Sequence, residues 1–382
     1  MDFQNFINNN NDYIQQFKKL NLIVKKYSHI NLIIVKYKKN FNYDFNKFPW
    51  IKYCKGAIIN TKNNKIICLP PLISTTIHND IPFITNLMLG PHNDNEIYQT
   101  LIDGTMINVF FHNNEWFIST RSFIGAKNKF SNDISFKSMW DECFNHYDEL
   151  NKNHSYSFVL QHINNRNITL HSQNKVTLVE EYSFENNSDF DPLFMAPAGL
   201  SPKNNYINNI NLNNHNYSFD VIKSLNKNDI NNFNNIFSIP NNFQNKGYTI
   251  KNNNIRYNCI NPYFNIATQL KGNFNNKLHI FLSLKNKNKD FEYLQFFPED
   301  KQIFIEYKNK INFIINDIYN KYVDMFIHKK ITIKDIPYQI KPIVHDIHKN
   351  YLKTQNNTSF NYVKNYFYKL PYKKITFIYN YY

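Results

Sequence analysis

Residues 101–111 read LIDGTMINVFF and residues 112–122 continue HNNEWFISTRS. An Asp-Gly break opens an apolar run, a polar Asn-Asn interrupts it, and a second run of Trp, Phe and Ile comes next. That order predicts two strands joined by a tight turn, an antiparallel hairpin over 105–120 that ends in Arg121. The pattern recurs on both sides, in GAIINTKNNKIICL (56–69), YSFVLQHINNRNITL (156–170), KVTLVEEYSF (175–184) and GYTIKNNNIRYNCINPYFN (247–265). Strand, turn and strand in series predict antiparallel sheets. KLHIFLSLK (277–285) reads as a strand closing the last group.

The other regular periodicity is helical. Phe136, Met139, Trp140 and Phe144 recur every three to four residues, with Asn132 or Asp133 as the expected cap. Ile311, Ile314, Ile315, Ile318, Tyr322, Val323 and Phe326 keep the same spacing over more than four turns. Shorter patterns in PIVHDIHKNYL (342–352) and NYVKNYFYKL (361–370), set off by Pro337, Pro342 and Pro371, predict further helices. Residues 13–39 read as a short helix and a strand, and 185–242 as an Asn-rich connector broken only by the periodic DVIKSLNKNDINNFNNIF (220–237). The expected fold class is α+β: a body of antiparallel sheets with flanking helices over 1–284, then a helical domain over 285–382.

A chain of 382 residues can bury a substantial core. Its formal charge of +15 and pI near 9.3 favour polyanionic partners, nucleic acid first, although coding from an AT-rich genome also enriches lysine. Apolar runs such as INLIIV (30–35) fall far short of the ~20 residues of a membrane span, so no membrane partner is expected. MDFQNFINNNND (1–12) has neither a basic nor an apolar signal region, which predicts an intracellular, cytoplasmic protein. Cys54, Cys68, Cys143 and Cys259 lack C-x-x-C spacing and read as free thiols. Only 7 glycines occur, so each is expected to hold a backbone position that other residues cannot.

Taken in order, CKGAIIN (54–60), LIDGTMINVFF with WFISTRSFIGA (116–126), YSFVLQHINNR (156–166) and KGYTIKNNNIRYNCINPYF (246–264) resemble the landmarks of covalent nucleotidyltransferases, in particular RNA ligases of the bacteriophage tRNA-repair type. The resemblance is closer still to ligase-like proteins of large DNA viruses infecting protists. Their tails are similar to FFPED (296–300), YVDMFIHKK (322–330) and HDIHKNYL (345–352). It covers most of the chain from about residue 50 and rests on order and spacing.

Such ligases carry a lysine two places before the Asp-Gly. Its amine attacks an α-phosphate and holds the nucleotide as a phosphoramidate. That place here is Leu101, with Asp103 and Gly104 retained and Thr105 beside them. The resemblance implies that Thr105, Asn108 and Arg121 contact nucleotide. Lys55, 46 residues before Leu101, resembles the phosphate-holding basic residue of the first landmark. Phe158 stands where a ring stacks on the base, but the acid after it is replaced by Val159; Arg166 stands at a phosphate-contacting place. Lys246 replaces an acid before Gly247. The two lysine places that stabilise departing pyrophosphate are Asn258 and Ile260, after the basic Arg256. Nucleophile, two acids and two basic residues are thus altered while their surroundings persist.

The sequence supports three functional readings. The first is a catalytically degenerate ligase-like protein that binds nucleotide or RNA, with ATP and Mg2+ as cofactors of any retained nucleotide site, in host cytoplasm or virion if the chain is viral. The second is an active RNA ligase or nucleotidyltransferase in which Lys55 or Lys246 serves as a relocated nucleophile. The third is a structural or partner-binding protein whose former pocket is filled by Leu101, Val159 and Ile260. Bland alternatives stand beside the motif assignments: Asp-Gly is an ordinary turn, Val109, Phe110 and Trp116 suit a core, and Lys55 suits a surface hairpin. His345 and His348 lack a third ligand, so no metal site is expected, and neither a P-loop nor G-x-G-x-x-G occurs.

Overall fold

The structure is a computed structural model and describes residues 3–77, 96–129, 133–184, 217–252, 255–274 and 276–382. The chain divides into two compact units, Met1–Asn265 and Ile266–Tyr382.

Three sheets build the first unit. In one, β1 (Ile23–Tyr27), β2 (Leu32–Lys36), β3 (Lys55–Asn60) and β4 (Lys65–Cys68) pair antiparallel in that order. β2 reads LIIVK, apolar on both faces, because both faces are covered. Ile33 and Val35 share a cluster with Phe3 and Phe6 of α1 (Phe3–Asn8), Phe17 of α2 (Tyr13–Lys19) and Trp50. Leu32 and Ile34 share another with Phe110 and Ile124.

A second sheet has the order β5 (Thr75–Ile77), β14 (Ile255–Ile260), β13 (Gly247–Asn252) and β6 (Glu96–Thr100), antiparallel except for the β5–β14 pair. Between these strands in sequence lies the six-stranded sheet. The predicted hairpin forms as β7 (Thr105–His112) and β8 (Glu115–Thr120), and its turn residues Asn113 and Asn114 take φ of 49° and 63°, as a tight two-residue turn requires. β9 (Phe123–Ile124) pairs with β8, while β10 (His154–Gln161), β11 (Lys175–Ser183) and the short parallel β12 (Asp220–Val221) extend the sheet from β7.

One face of this sheet receives α3 (Phe136–Asp141), whose Met139 and Trp140 join Ile107, Val109, Tyr156 and Phe158 in a core. Its cap is Ser135, whose side chain accepts from the Ser138 N–H at 3.1 Å, rather than Asp133; Asn132 lies outside the described residues. The hydroxyl two residues beyond Asp133 is the one in reach of the first free amides of the helix. Within the expected connector, α4 (Lys227–Ser238) is a regular helix started by a reciprocal Asn226–Asp229 capping box, and Phe233 and Phe237 pack on Tyr248 of β13. Residues 185–216 of that connector lie outside the described residues.

From α5 (Pro262–Lys271) onward the chain is helical. KLHIFLSLK is α6 (Lys277–Lys285), not a strand. Leu278, Ile280, Phe281, Leu282 and Leu284 are all buried, so the helix is apolar around its circumference and shows no period. α7 (Asp290–Phe296) precedes the long α8 (Lys301–Tyr322), which buries Ile311, Ile314, Ile315, Ile318 and Tyr322 as their spacing predicts. α9 (Lys341–Thr354), α10 (Phe360–Tyr368) and α11 (Tyr372–Tyr381) complete the unit. His345 is exposed, but His348 is half-buried and stacks on Phe326 at 3.6 Å between ring centroids. The architecture is α+β with antiparallel sheets, flanking helices and a helical C-terminal part. No helix among the described residues is long and apolar enough to cross a membrane.

Candidate functional site

β10 determines which side chains can share a site. In its register with β7, Val159 lies opposite Met106, Phe158 opposite Ile107 and Ser157 opposite Asn108. Successive residues face opposite ways. Phe158, fully buried, packs with Trp140, Phe144 and Phe219 in the α3 core. Met106 and Val159 point to the other side and line a cavity of about 200 Å³. Its wall continues through Lys55 at the start of β3, Ser74, Gln99 to Ile102, Gly104, Val179 of β11, and Lys246, Thr249, Arg256 and Asn258 of the β13–β14 hairpin. Period-two spacing brings Arg256 and Asn258 to one face of β14, the arrangement expected for 258 and 260, although Ile260 is not in the wall.

Two glycines allow this close approach. Gly247 has φ of +138°, and a Cβ there would lie 2.0 Å from the Cys259 carbonyl oxygen. A Cβ on Gly104 would lie 2.5 Å from the Leu160 carbonyl oxygen and 2.6 Å from Val159 Cγ1. Leu101 is fixed by its N–H, which donates to the Gly247 carbonyl at 2.8 Å, and its side chain enters the wall. An aliphatic group stands there, so the position offers no amine.

The cavity is electropositive. Burial first, and then the charges of Arg256, Arg121 and Lys246, bring the Lys55 amine down to about 8. Burial also lowers Lys246, and Arg256 adds to this; Asp103, with Oδ1 4.0 Å from Lys246 Nζ, opposes them. Lys246 Nζ donates to the Ile102 carbonyl at 3.3 Å and lies 5.7 Å from the Phe264 ring centroid. Arg256 donates through Nη1 to Glu180 Oε2 at 2.6 Å, and Lys251 Nζ reaches the same oxygen at 3.1 Å. Burial alone would raise the Glu180 carboxyl, but these two cations hold it at about 2. Burial brings Lys251 down to about 8, which leaves it charged at neutral pH, so the cluster is ionised. No carboxylate belongs to the described wall.

Of the residues nominated from sequence, Lys55, Leu101, Gly104, Val159, Lys246, Arg256 and Asn258 meet at the cavity, and Gly247 underlies it. The others do not line it. Asp103 accepts from the Ile168 N–H, the Thr169 N–H and the Thr169 hydroxyl at 2.9, 3.0 and 3.3 Å, so its carboxylate ties down the 168–169 turn. Thr105 accepts from Asn165 at 2.9 Å. Asn108 accepts from the Ser157 hydroxyl at 2.9 Å, while its Nδ2 is buried without a partner. The Arg121 guanidinium lies over the Tyr37 ring at 4.4 Å, and Arg166 Nε donates to the Ile168 carbonyl at 3.1 Å. Phe158, buried on the opposite face, presents no ring to the cavity.

Glu180 and Lys251 escape a reading of the sequence alone. The available signal is an acid directly after the apolar KVTLV run, which needs a buried counter-charge. DECFNHYDEL does find a partner: Ser218 Oγ lies 2.8 Å from His146 Nδ1, and Glu149 Oε1 lies 3.0 Å from that same nitrogen. A relay needs serine and acid on opposite ring nitrogens, so this cluster anchors residue 218 instead. Cys54, Cys68 and Cys259 are buried free thiols and Cys143 is half-buried.

The basic wall fits the phosphates of a nucleotide. It does not fit Mg2+: the wall lacks hard anionic oxygens, and among the described residues no group of three or more His, Cys, Asp or Glu converges to hold a metal.

No family model matches the chain, and no curated protein matches it. Among solved structures the chain is similar to one described as "Putative ATP-dependent DNA ligase from Aquifex aeolicus", with 14% identity and a TM-score of 0.44 over 82% of this chain and 81% of that one.

Proposed function

We propose that the first unit is a ligase-like nucleotidyltransferase scaffold that binds a nucleotide or RNA by its phosphates and has lost the covalent step. One observation carries this reading. Four separate stretches that resemble ligase landmarks contribute Lys55, Leu101, Val159 and Lys246 with Arg256 to a single basic cavity. Unrelated turns that happened to look like motifs would have no reason to converge. Lys55, Lys246 and Arg256 are the phosphate-holding residues of this reading, and Leu101 is why no phosphoramidate forms at the usual place. An open cavity between Leu101 and Val159 speaks against a pocket filled for a purely structural role.

The test is incubation of the purified chain with α-labelled ATP or GTP and Mg2+, with a subsequent search for acid-labile, lysine-linked label. No label is expected, whereas nucleotide and single-stranded RNA should bind with an affinity that falls as salt rises. Label on lysine would overturn the loss of the covalent step. Binding indifferent to salt would overturn the phosphate contacts.

A specific observation favours a second reading, a relocated nucleophile. Lys55 sits in the wall with its amine at about 8, so a useful fraction is neutral near pH 7 to 8. Label that disappears in Lys55→Arg would select it.

A further inference from the structure

We infer that the cavity recognises an oligophosphate group as such, without reading the nucleoside attached to it. This rests on the proposed phosphate-binding function and narrows its ligand. A cavity of about 200 Å³ lies below the ~300–1,000 Å³ of pockets that enclose a whole small-molecule ligand.

The wall chemistry agrees with the size. No aromatic side chain is among the described wall residues, and the ring that would stack on a base, Phe158, is turned into the opposite core. The apolar part of the wall is aliphatic, from Leu72, Leu101, Met106, Val159 and Ile222. The amide best placed to read a base edge, Asn258, is already engaged: its Oδ1 accepts from Thr249 at 2.7 Å and its Nδ2 donates to Ser74 at 2.6 Å. Against this, Lys55, Lys246 and Arg256 crowd positive charge into one small space. Burial, and then the charge of Arg256, lower both lysines, and a multivalent anion entering the cavity would favour their charged forms.

The same group arrives either free, as tripolyphosphate, or as the 5′-triphosphate of a nucleotide or an RNA. Calorimetric titration of the full chain with tripolyphosphate, ATP, GTP and adenosine separates phosphate from nucleoside recognition. Paired RNAs ending in 5′-triphosphate or 5′-hydroxyl separate the two sources. Tripolyphosphate, ATP and GTP should bind within about threefold of one another, adenosine should not bind, and the triphosphate RNA should exceed its hydroxyl counterpart at least about tenfold. Lys246→Gln should weaken all the anions by about tenfold or more, and Lys55→Met, checked for an unchanged melting temperature, should do the same.

ATP binding ten times tighter than tripolyphosphate, or a tenfold preference between ATP and GTP, would overturn phosphate-only recognition and leave nucleotide binding standing. Equal affinity for the two RNAs would do the same for RNA binding. If no anion and no RNA binds, both this inference and the function beneath it fall.

Discussion

Glu180→Gln preserves the shape of a buried side chain and removes the charge that Arg256 and Lys251 share. Glu180 is 7% exposed, and its Oε2 takes bonds of 2.6 and 3.1 Å from the two cations. Stripping the anion from such a cluster leaves uncompensated buried charge, which costs about 3–5 kcal/mol. An independent route gives a similar size. The carboxyl falls from 4.5 to about 2 on folding, and at ~1.36 kcal/mol per pH unit this is about 3 kcal/mol.

The sign is fixed by the direction of the shift. A depressed folded value stabilises the protein above the unfolded value near 4.5, and that contribution fades as pH falls toward 2. Urea unfolding monitored by tryptophan fluorescence reports on the right unit, because Trp50, Trp116 and Trp140 all lie within 1–265. At pH 7 the variant should lose about 3 kcal/mol relative to the parent, and the gap should narrow between about pH 5 and pH 3. Lys251 adds a second signature: its folded value is already lowered, so without Glu180 the variant should gain stability as pH rises through the neutral range. A loss below about 1 kcal/mol at pH 7, or a gap that widens on acidification, would refute the ionised buried cluster.

Four further perturbations test the geometry. Gly247→Ala drives a methyl to 2.0 Å from the Cys259 carbonyl at a φ of +138°, and should cost at least about 2–3 kcal/mol in chemical denaturation. Phe158→Ala should lower stability by about 3–5 kcal/mol yet leave tripolyphosphate affinity within about twofold, whereas Val159→Glu should weaken the anion at least about tenfold. With limiting acylating reagent at pH 8, peptide mass spectrometry should find Lys55 modified ahead of exposed lysines and protected by tripolyphosphate, while Lys251, of similar acidity but only 8% exposed, stays unmodified.

How much of the fold and site is legible in the chain depends on whether an element has one wet face. The 105–120 hairpin and α8 announce themselves by turn residues and by three- and four-residue spacing, and both form where expected. Where burial is all round, the pattern vanishes. α6 is apolar on every side and reads as a strand. β10 reads HSYSFVLQ and buries six consecutive residues, so alternation cannot reveal that Val159 faces the cavity and Phe158 the core. Only pairing with β7 decides it. Glu180 is hidden for a related reason, since its partners Lys251 and Arg256 are about 70 residues away and meet it only through tertiary folding.

The split between retained and altered landmarks has a structural logic. Asp103 holds the 168–169 turn, Gly104 lets β10 approach, Gly247 lets β14 approach, and Phe158 fills the α3 core. Each of these residues matches the ligase pattern, and each has a task in the fold that is independent of chemistry. Of the five positions that depart from the pattern, Leu101, Val159, Lys246 and Asn258 belong to the cavity wall and Ile260 does not. If the departures were an accident of alignment, they would be scattered between wall and core. On the proposed reading, the placing of four of the five in the wall is the result expected when the scaffold stays under constraint and the reacting groups do not. The wall has nevertheless kept or gained Lys55, Lys246 and Arg256 around open space; Glu180 pairs with Arg256 and Asp103 lies 4.0 Å from Lys246, both from behind the wall, and the described wall itself carries no anion. On the proposed reading, the chemistry was released from the site while its attraction for phosphate was kept.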